Sequence, residues 1–559
     1  EMPAPGGDAV RELLAAVRSG KITEADVDAR LDELLTLVLD THAAVERHSR
    51  SFDADAHHAL ARRAAGESVV LLKNDDALLP LAEGTRVAVI GDFAETPRYQ
   101  GAGSSAVNSI KVDTFLDCLS DSGLYSVGFA PGFDRQGKPD AAKQAEAVAL
   151  AAKADAVLLC LGLDEIKESE GLDRADMKLA DNQIELLQAV REANPNTVVI
   201  VNAGASLETP WLAHCKALVY GALGGQAGAG AMVDVLTGKI NPGGKLAETW
   251  ANAYDDTPAR DHFAGPGRTV QYREGLYVGY RYYQTAGVPV AFPFGHGLSY
   301  TQFAYSDLHA DAHSATLTVT NTGDRAGAEI VQLYVAKPNA EIFRPAQELK
   351  AFAKVQLAAG ESKTVTLTLD DKAFRYRNTR TDSWEVEGGT YELRVGASSA
   401  DIRLTAAVEV IGTDALNPYA GKALPHYQSG KVQTVPDAEW ETLLDRPIPD
   451  DRVKIDRNMT LGELNHGRSP LGWLVWAVMT VLLNASYKKG KPDLNVLFQY
   501  NMPLRALAKM TNGAISMGMV DGIVMEVQGF WVIGLVRVIF EAVKNVILNA
   551  QLENRLRNS

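Results

Sequence analysis

The sequence predicts a multidomain chain in which an α/β sandwich with a mostly parallel sheet is followed by an all-β sandwich and a helical carboxyl-terminal region. Three observations predict this organisation. Short β-rich runs alternate with helical stretches over residues 67–309, period-two strands without helices fill 310–411, and residues 461–559 read as helices rich in Met, Trp, Leu and Val. The 559 residues are enough for about four domains.

Composition and charge exclude several classes of function. Hydrophobic residues make up 46% of the chain and charged residues 22%, which is ordinary for globular proteins and rules out a wholly disordered chain. The net charge of −15 disfavours nucleic-acid binding, because phosphates need a basic face. Three cysteines cannot form a disulfide framework. Cys118 and Cys160 lie in apolar segments and Cys215 near one, as expected of buried thiols in a reducing compartment, so a cytoplasmic location is the expectation.

The first part of the chain is predicted to be helical. Residues 6–50 carry helix-spaced apolar side chains, and Thr23 with Asp26 forms a plausible capping box at the start of one helix. The polar and Ala-rich residues 51–66 are expected to be a linker, either helical or simply connecting.

The α/β region begins where short apolar runs start to alternate with helical patterns. A helix is predicted over Asp181–Asn194, with Ile184, Leu187 and Val190 on one face. Strand–helix alternation of this kind predicts a mostly parallel sheet covered on both faces. The predicted strands are Val69–Lys73, Val87–Phe93, Ser126–Ala130, Ala156–Leu163, Thr197–Ala203 and Ala217–Ala222.

The all-β region is predicted from period-two strands separated by turns. About a hundred residues of such strands favour an antiparallel sandwich of immunoglobulin type. The strands that predict it are Thr316–Thr320, Val331–Val335, Val365–Leu369 and Tyr391–Val395. The Pro- and Asp-rich residues 412–460 are expected to be an extended connector.

The helical end contains an uncharged stretch, Ser469–Tyr487, whose length is near the minimum for a membrane span. Pro470 interrupts its start, so a buried or interface helix is favoured and no membrane association is expected. Aromatic residues are enriched in this region, which favours burial in a core or an interface. We therefore expect residues 461–559 to form a homodimer contact or to pack on another domain.

The acidic stretch Asp164–Arg174 is the most informative polar segment. It directly follows a predicted buried strand, and ligand sites in parallel sheets gather at the carboxyl ends of strands. Crowded carboxylates raise one another's pKa, which suits a general acid. The alternative is a solvated acidic loop, and spacing alone favours that alternative.

Glycine-rich segments give weaker signals. Gly101–Ala106 matches a dinucleotide fingerprint formally, but no helix clearly begins there, so a polar loop at a hydroxyl-rich ligand or a surface turn are the better interpretations. Gly224–Gly228 favours close packing over ligand contact. His296 stands alone, which favours a hydrogen-bonded structural histidine. No P-loop, HExxH, CxxC or GxSxG motif occurs, so we expect no cofactor and no metal.

Several motifs between residues 68 and 350 are similar to segments of one known family, and the resemblance extends over essentially the whole chain. They are Ser68–Asn74 with Leu79–Leu81, Arg98–Ser105, Glu168–Arg174, Asn241–Leu246, Tyr272–Arg281, Phe292–Tyr300, and Arg344–Pro345 with Glu348–Lys350. Together they resemble segments of bacterial family 3 glycoside hydrolases of the β-glucosidase type. The resemblance implies an α/β sandwich domain, a fibronectin III-like domain, a helical tail found on some members, and retaining hydrolysis of terminal β-D-glucosyl residues.

The resemblance also implies roles for particular residues. Glu170, which precedes Gly171 in the Glu-Gly-Leu-Asp-Arg pattern, corresponds to the general acid/base, and Glu168 is its nearest rival. The neighbouring loop would face the sugar, which makes a β-glucoside or oligosaccharide the expected substrate. The residues implied in substrate binding are Arg98, Gln100, Gly101, Ser104, Ser105 and Glu168.

The chain departs from the family pattern in one respect. The family's barrel domain supplies a nucleophilic Asp in a Ser-Asp-Trp type motif, and no such motif occurs in residues 1–559. Residues 1–50 resemble only the last strand and helices of that (β/α)8 barrel. Because a retaining glycosidase needs two carboxyl groups about 5–5.5 Å apart, we expect inactivity unless an amino-terminal barrel chain or segment is the partner.

Three alternatives stay open at this point. The chain could be a non-catalytic sugar-binding or assembly subunit, or part of a β-xylosidase of the same family. A nucleotide-binding sheet rests only on the weak glycine match at Gly101–Ala106.

Overall fold

The computed structural model describes residues 8–47, 51–265, 268–490 and 492–558. The chain divides into one unit of residues 1–54 with 451–559 and a second unit of residues 55–450. The barrel strand expected near Glu1–Pro3 lies outside the described residues.

The first unit opens with helices α1 (Asp8–Arg18) and α2 (Glu24–Arg47). The predicted capping box is confirmed. The Asp26 backbone N–H donates to Thr23 Oγ1 at 3.1 Å, and the Thr23 backbone N–H donates to Asp26 Oδ2 at 2.8 Å. Two donors at the start of α2 are thereby satisfied reciprocally.

Helix α3 (Ala54–Ser68) occupies most of the segment expected to be a linker. Its side chains are bonded into the α/β domain. Arg62 donates to both carboxylate oxygens of Asp234, at 2.7 and 2.9 Å, and His58 lies 3.0 Å from Asp113. The Ala-rich sequence has no Pro to break a helix there, and these contacts fix it on the domain.

The central sheet has, among the described residues, six strands in the order β1-β6-β5-β4-β2-β3. β1 pairs antiparallel with β6 and the other pairings are parallel, which confirms the predicted mostly parallel sheet. Every residue of β4 is buried, as expected of a strand covered on both faces. The strands are β1 (Val70–Asn74), β2 (Arg86–Ile90), β3 (Tyr125–Ala130), β4 (Ala156–Gly162), β5 (Thr197–Asn202) and β6 (Ala217–Tyr220).

Helices connect these strands and complete the domain. They are α4 (Phe115–Ser120), α5 (Ala141–Ala151), α6 (Asp181–Ala193), α7 (Gly228–Leu236) and α8 (Tyr280–Ala286). A small antiparallel pair, β7 (Trp250–Ala251) and β8 (Val290–Phe292), precedes the all-β region. His296 has the hydrogen-bonded structural role that was predicted for it. Its Nε2 lies 3.0 Å from the Leu72 carbonyl, and burial lowers its pKa.

The strand order creates a switch point at β2. The chain runs from β2 to β3 on one side and then returns to place β4 on the other side of β2. In an open parallel sheet, the loops that leave two such neighbouring strands diverge and form a crevice at their carboxyl ends. The loops after β2 and β4 contain the two polar segments singled out in the sequence.

The all-β region is an antiparallel sandwich, as predicted. One sheet has the order β13-β10-β9 and the other β12-β11-β16-β17, with buried Leu317, Val331 and Leu393 in the core between them. The strands are β9 (Phe303–Ala310), β10 (Ser314–Asn321), β11 (Gly327–Ala336), β12 (Glu348–Leu357), β13 (Ser362–Thr368), β14 (Arg375–Asn378), β15 (Ser383–Val386), β16 (Gly389–Gly396) and β17 (Ile402–Val410). β14 and β15 form a separate hairpin.

The segment expected to be an extended connector folds in part. It contains α9 (Pro425–Ser429) and α10 (Asp437–Leu444). Tyr427 and Trp440 pack with Tyr277 and the tyrosines of α8 in an aromatic core. Apolar side chains spaced among the Pro and Asp residues thus give this segment a core to join, which composition alone does not indicate.

The carboxyl-terminal region is helical, as predicted. Its elements are α11 (Pro470–Tyr487), α12 (Leu494–Asn501), α13 (Leu504–Met510), α14 (Met517–Val527) and α15 (Trp531–Asn558). Helix α1 belongs to the same unit: Arg11 donates to Asn549 at 2.6 Å, and Asp8 accepts from the Met517 N–H at 2.8 Å.

Helix α11 is the one helix, in the part of the chain that the structure describes, that is long and apolar enough to cross a membrane. Only 17% of its 18-residue window is buried within the unit. One helix of this kind is weak evidence for a span, because helices of soluble proteins pass the same test. The expectation of no membrane association stays a prediction.

Candidate functional site

The loops after β2 and β4 meet at the switch point of the sheet. Backbone hydrogen bonding joins them: the Glu170 N–H donates to the Ala102 carbonyl at 2.9 Å, and Ala102 forms a parallel bridge with Ser169. The two segments follow different strands in the sequence and lie side by side in the structure. The side chains of the site come from the loops that follow β2 and β4, and β4 is buried throughout.

A buried ion pair anchors the two loops to the sheet. Arg98, whose side chain is 1% exposed, donates from Nη1 to Glu168 Oε2 at 2.5 Å and to the Leu163 carbonyl at 3.0 Å. Its Nη2 donates to the Glu168 carbonyl at 2.8 Å. Glu168 Oε2 also accepts from the Gly204 N–H at 2.9 Å, so this carboxylate holds three loops together.

Glu170 is placed differently from Glu168. Its residue is exposed, and its carboxylate Oε2 accepts from the Ser104 N–H at 2.6 Å. Hydrogen bonds from the Ser104 hydroxyl and backbone N–H favour the ionised form and lower the pKa of Glu170. An exposed carboxylate, fixed by a loop and free of any ion pair among the described residues, is the group best placed here for proton transfer.

Gly103 makes this contact between Glu170 and Ser104 sterically feasible. Its φ is +129°, and a Cβ at this position would lie 2.5 Å from Glu170 Cβ and 2.6 Å from Oε2. Only a residue without a side chain combines this backbone conformation with so close an approach.

The other predicted sugar-facing residues divide into two kinds. Gln100 closes its own loop: its amide donates to the Val107 carbonyl at 3.0 Å and accepts from the Val107 N–H at 2.9 Å. Gly101 lies in the same loop and packs closely within it, since a Cβ at this position would lie 3.1 Å from Ser105 Oγ. Ser104 and Ser105 are exposed beside Glu170 and remain the best placed to meet a hydroxyl-rich ligand.

The glycine segment after β6 packs against the same loop. The Gly225 N–H donates to the Tyr99 carbonyl at 2.9 Å, and a Cβ on Gly224 would lie 3.0 Å from the Gly228 Cα. The space beneath is a cavity of about 40 Å³, too small for a sugar. Residues 101–106 form turns and no helix begins there, so the context of a dinucleotide fingerprint is absent from this described loop.

Sequence reasoning missed two buried groups at this edge. Arg174 donates from Nη1 to the Ser206 carbonyl at 3.2 Å, and burial lowers the pKa of its guanidinium. Asp164 caps the start of the acidic loop by accepting from the Ile166 and Lys167 N–H groups, and burial raises its pKa. Both residues lie in the acidic stretch that the sequence analysis singled out. Nothing in the sequence indicated that their side chains would be buried.

The described residues contain no cluster of three or more His, Cys, Asp or Glu side chains that could hold a metal ion. The three thiols are also unsuited to nucleophilic chemistry. Burial raises the pKa of Cys160 to about 12 and those of Cys118 and Cys215 to about 11, so they stay protonated near neutral pH.

Gly103→Ala is expected to raise the pKa of the Glu170 carboxyl. The new Cβ displaces the carboxylate from Ser104, and the hydrogen bonds that stabilise its ionised form are lost. NMR titration of ¹³C-labelled glutamate, with the Glu170 signal assigned from Glu170→Gln, measures the shift. Gly84→Ala is the matched control, because Gly84 also has a positive φ, +79°, but nothing lies within 4 Å of its added Cβ. An unchanged Glu170 titration in Gly103→Ala would contradict this account.

Comparison with known proteins identifies the two central domains. Residues 69–300 match the glycosyl hydrolase family 3 C-terminal domain, and residues 329–399 match a fibronectin type III-like domain. An exo-α-(1→6)-L-arabinopyranosidase of Bifidobacterium breve is 43% identical over 434 residues, which are 75% of this chain and 57% of that protein. The thermostable β-glucosidase B of Acetivibrio thermocellus is 41% identical over 432 residues, 74% of this chain and 56% of that protein.

Solved structures give the same assignment. The GH3 β-glucosidase of Bifidobacterium adolescentis superposes with a TM-score of 0.70 at 42% identity, covering 76% of this chain and 64% of that one. The β-glucosidase 3B of Thermotoga neapolitana, solved with α-D-glucose, has a TM-score of 0.64 at 32% identity and covers 72% and 61%. The chain spans less than three fifths of the two curated relatives described above. This chain therefore contains a glycosyl hydrolase family 3 C-terminal domain followed by a fibronectin type III-like domain.

Proposed function

We propose that this chain supplies the acid/base half of the active site of a retaining β-glucosidase. One observation carries the proposal: Glu170 presents an exposed carboxylate, fixed by Ser104, at the switch point where sheets of this kind bind ligands. Its rival Glu168 is paired with the buried Arg98, which suits a structural role.

The reaction takes place in two steps, and the second carboxylate comes from a barrel on a separate chain or segment. In the first step, the barrel Asp bonds to the anomeric carbon, the glycosidic C–O bond breaks, and protonated Glu170 gives its proton to the departing oxygen. In the second, Glu170 takes a proton from water, the water oxygen bonds to the anomeric carbon, and the ester to Asp breaks. The sugar leaves with its β configuration retained.

The Ser104 hydrogen bonds lower the pKa of Glu170, and a nearby partner carboxylate would act in the opposite direction. A general acid must be protonated near the working pH, and the Ser104 hydrogen bonds oppose this. A second carboxylate about 5–5.5 Å away disfavours ionisation of Glu170 and raises its pKa. When the nucleophile becomes an ester its charge is lost, and Glu170 returns to the ionised form needed by a general base.

The proposal is tested by the configuration of the first-formed sugar. The chain completed by its barrel is incubated with an aryl β-D-glucoside and followed by ¹H NMR within the first turnovers. We expect the β-anomer to appear first and to mutarotate later. First appearance of the α-anomer would exclude a retaining mechanism. Turnover by this chain alone would exclude the need for a barrel.

A second substrate class is an α-L-arabinopyranoside. The observation that favours it is the 43% identity to arabinopyranosidases of two bifidobacteria, slightly above the 41% to a β-glucosidase. A β-xylosidase of the same family and a non-catalytic sugar-binding subunit are the remaining alternatives. The same NMR assay with aryl α-L-arabinopyranoside and β-D-xyloside ranks these sugars, and binding without any turnover would identify the subunit.

A homodimer formed through the helical unit is a separate proposal. Helix α15 leaves a wide apolar face exposed, and such faces are typical of contact surfaces. The exposed residues are Trp531, Val532, Ile533, Leu535, Val536, Ile539, Phe540, Val543, Val546 and Ile547.

A further inference from the structure

A groove of about 450 Å³ lies on the fibronectin-like domain and shares no lining residue with the candidate active site. Its walls are the β14–β15 hairpin, the first residues of β12 and the segment that precedes β12. Leu276, Lys372 and Tyr419 complete the lining. The volume is in the range of sites that hold small organic ligands.

The floor of the groove is aromatic and packs against a buried aromatic core. The rings of Phe343 and Tyr419 lie 4.3 Å apart between centres, and Phe343 also contacts Tyr277 and Tyr427 of the buried aromatic core. At the rim, Trp384 is 56% exposed, and the Arg375 guanidinium lies over its ring, 4.5 Å from the ring centre. Large exposed aromatic residues beside a groove are typical of contact surfaces for ligands.

The groove concentrates positive charge in a chain whose net charge is −15. Five cationic residues line it; Arg344 is paired with Glu387 and Lys350 with Glu348, which leaves three cations at the rim for a ligand. The cationic residues are Arg344, Lys350, Lys372, Arg375 and Arg377. A cleft lined mainly by one sign of charge attracts ligands of the opposite sign.

The cations at the rim are available for exchange with a ligand. Arg375 pairs with Asp371 and Arg377 with Asp382, but the side chains of these aspartates are 79% and 91% exposed. Exposed pairs contribute little, so a ligand carboxylate can replace the aspartates at small cost. Lys372 has no carboxylate within 4 Å among the described residues. Guanidinium groups bind carboxylates through two parallel hydrogen bonds, which fixes the orientation of the ligand.

We propose that this groove binds an acidic glycan, one that carries carboxylates on its sugar rings. Uronate carboxylates pair with Arg375, Arg377 and Lys372, while the apolar faces of the rings lie against Trp384 and the aromatic floor. An acidic glycan is favoured over an acidic peptide because the flat aromatic surfaces match the C–H faces of pyranose rings. Binding here does not depend on the proposed catalytic role of Glu170, because no residue is shared.

The test is isothermal titration of the full chain with trigalacturonate, with cellotriose as the neutral probe and tri-glutamate as the acidic peptide. We expect trigalacturonate to bind and the other two to bind at least about tenfold more weakly. The double variant Arg375→Gln/Arg377→Gln and the single variant Trp384→Ala should each lose about tenfold in affinity. Binding should also weaken as salt is raised.

Two controls and two contrary outcomes make the test decisive. Phe352→Ala removes a 68% exposed aromatic residue outside the groove, and Lys363→Gln removes a charge outside it, so both should bind as the unaltered chain does. Trp384→Phe keeps a ring in place if Trp384→Ala fails to fold, and it should retain most of the affinity. Equal binding of cellotriose would overturn charge recognition. If tri-glutamate bound as tightly as trigalacturonate and Trp384→Ala did not weaken its binding, the proposal that the ligand is a glycan would be overturned.

Discussion

Glu170→Gln is expected to slow the hydrolysis of alkyl β-glucosides by about 10²–10⁴-fold in the enzyme completed by its barrel. The amide keeps the size of the side chain and can still accept from the Ser104 N–H at the 2.6 Å position. It cannot donate a proton to the leaving oxygen or take one from water. Both steps therefore lose their proton transfer while the loop stays in place.

The size of the loss should depend on the leaving group. A dinitrophenolate departs without proton donation, so its first step is nearly unaffected and the glycosyl-enzyme accumulates because the second step lacks a base. Burst kinetics with the dinitrophenyl glucoside, together with a slow steady rate restored by azide, measure this behaviour. Glu165→Gln in the same loop is the control and should keep nearly full activity. Unchanged turnover of alkyl glucosides by Glu170→Gln would remove Glu170 from the mechanism.

The buried strands of the central sheet were predictable because they are short, mainly apolar runs bounded by polar turns. β4 was expected over Ala156–Leu163 and spans Ala156–Gly162, since its full burial makes the run continuously apolar. The site was predictable only to the level of loops. Arg98 and Glu168 follow neighbouring strands, but their pairing depends on β4 returning beside β2, and no local pattern encodes that order.

Contacts between distant residues account for the differences from the expected organisation. α3 is held by His58 and Arg62, whose partners lie 55 and 172 residues away. Residues 424–444 fold because Tyr427 and Trp440 reach an aromatic core built from other parts of the chain. Local composition predicts linkers for such segments because they contain many polar residues. It gives no information on the distant parts of the chain against which these segments pack.

Glu168→Leu is expected to destabilise the α/β domain by about 3–5 kcal/mol. The reason is the burial of Arg98, whose side chain is 1% exposed and whose charge then has no carboxylate at hydrogen-bonding distance. Its bond to the Leu163 carbonyl at 3.0 Å does not compensate a full charge. The Gly204 N–H also loses its acceptor, so the loop after β5 loosens together with the acidic loop.

Because the chain has several domains, the measurement must report on this domain alone. Hydrogen exchange of the β4 and β5 amides under native conditions gives the free energy of opening of their sheet. Glu361→Gln is the control: it breaks the exposed pair with Lys363, whose side chains are 38% and 45% exposed, and should change stability by less than about 1 kcal/mol. Arg98→Met/Glu168→Leu should recover much of the loss, because it removes the unpaired charge and leaves two apolar side chains in contact. A double variant no more stable than Glu168→Leu would show that the lost Gly204 contact, and not the buried charge, determines the effect.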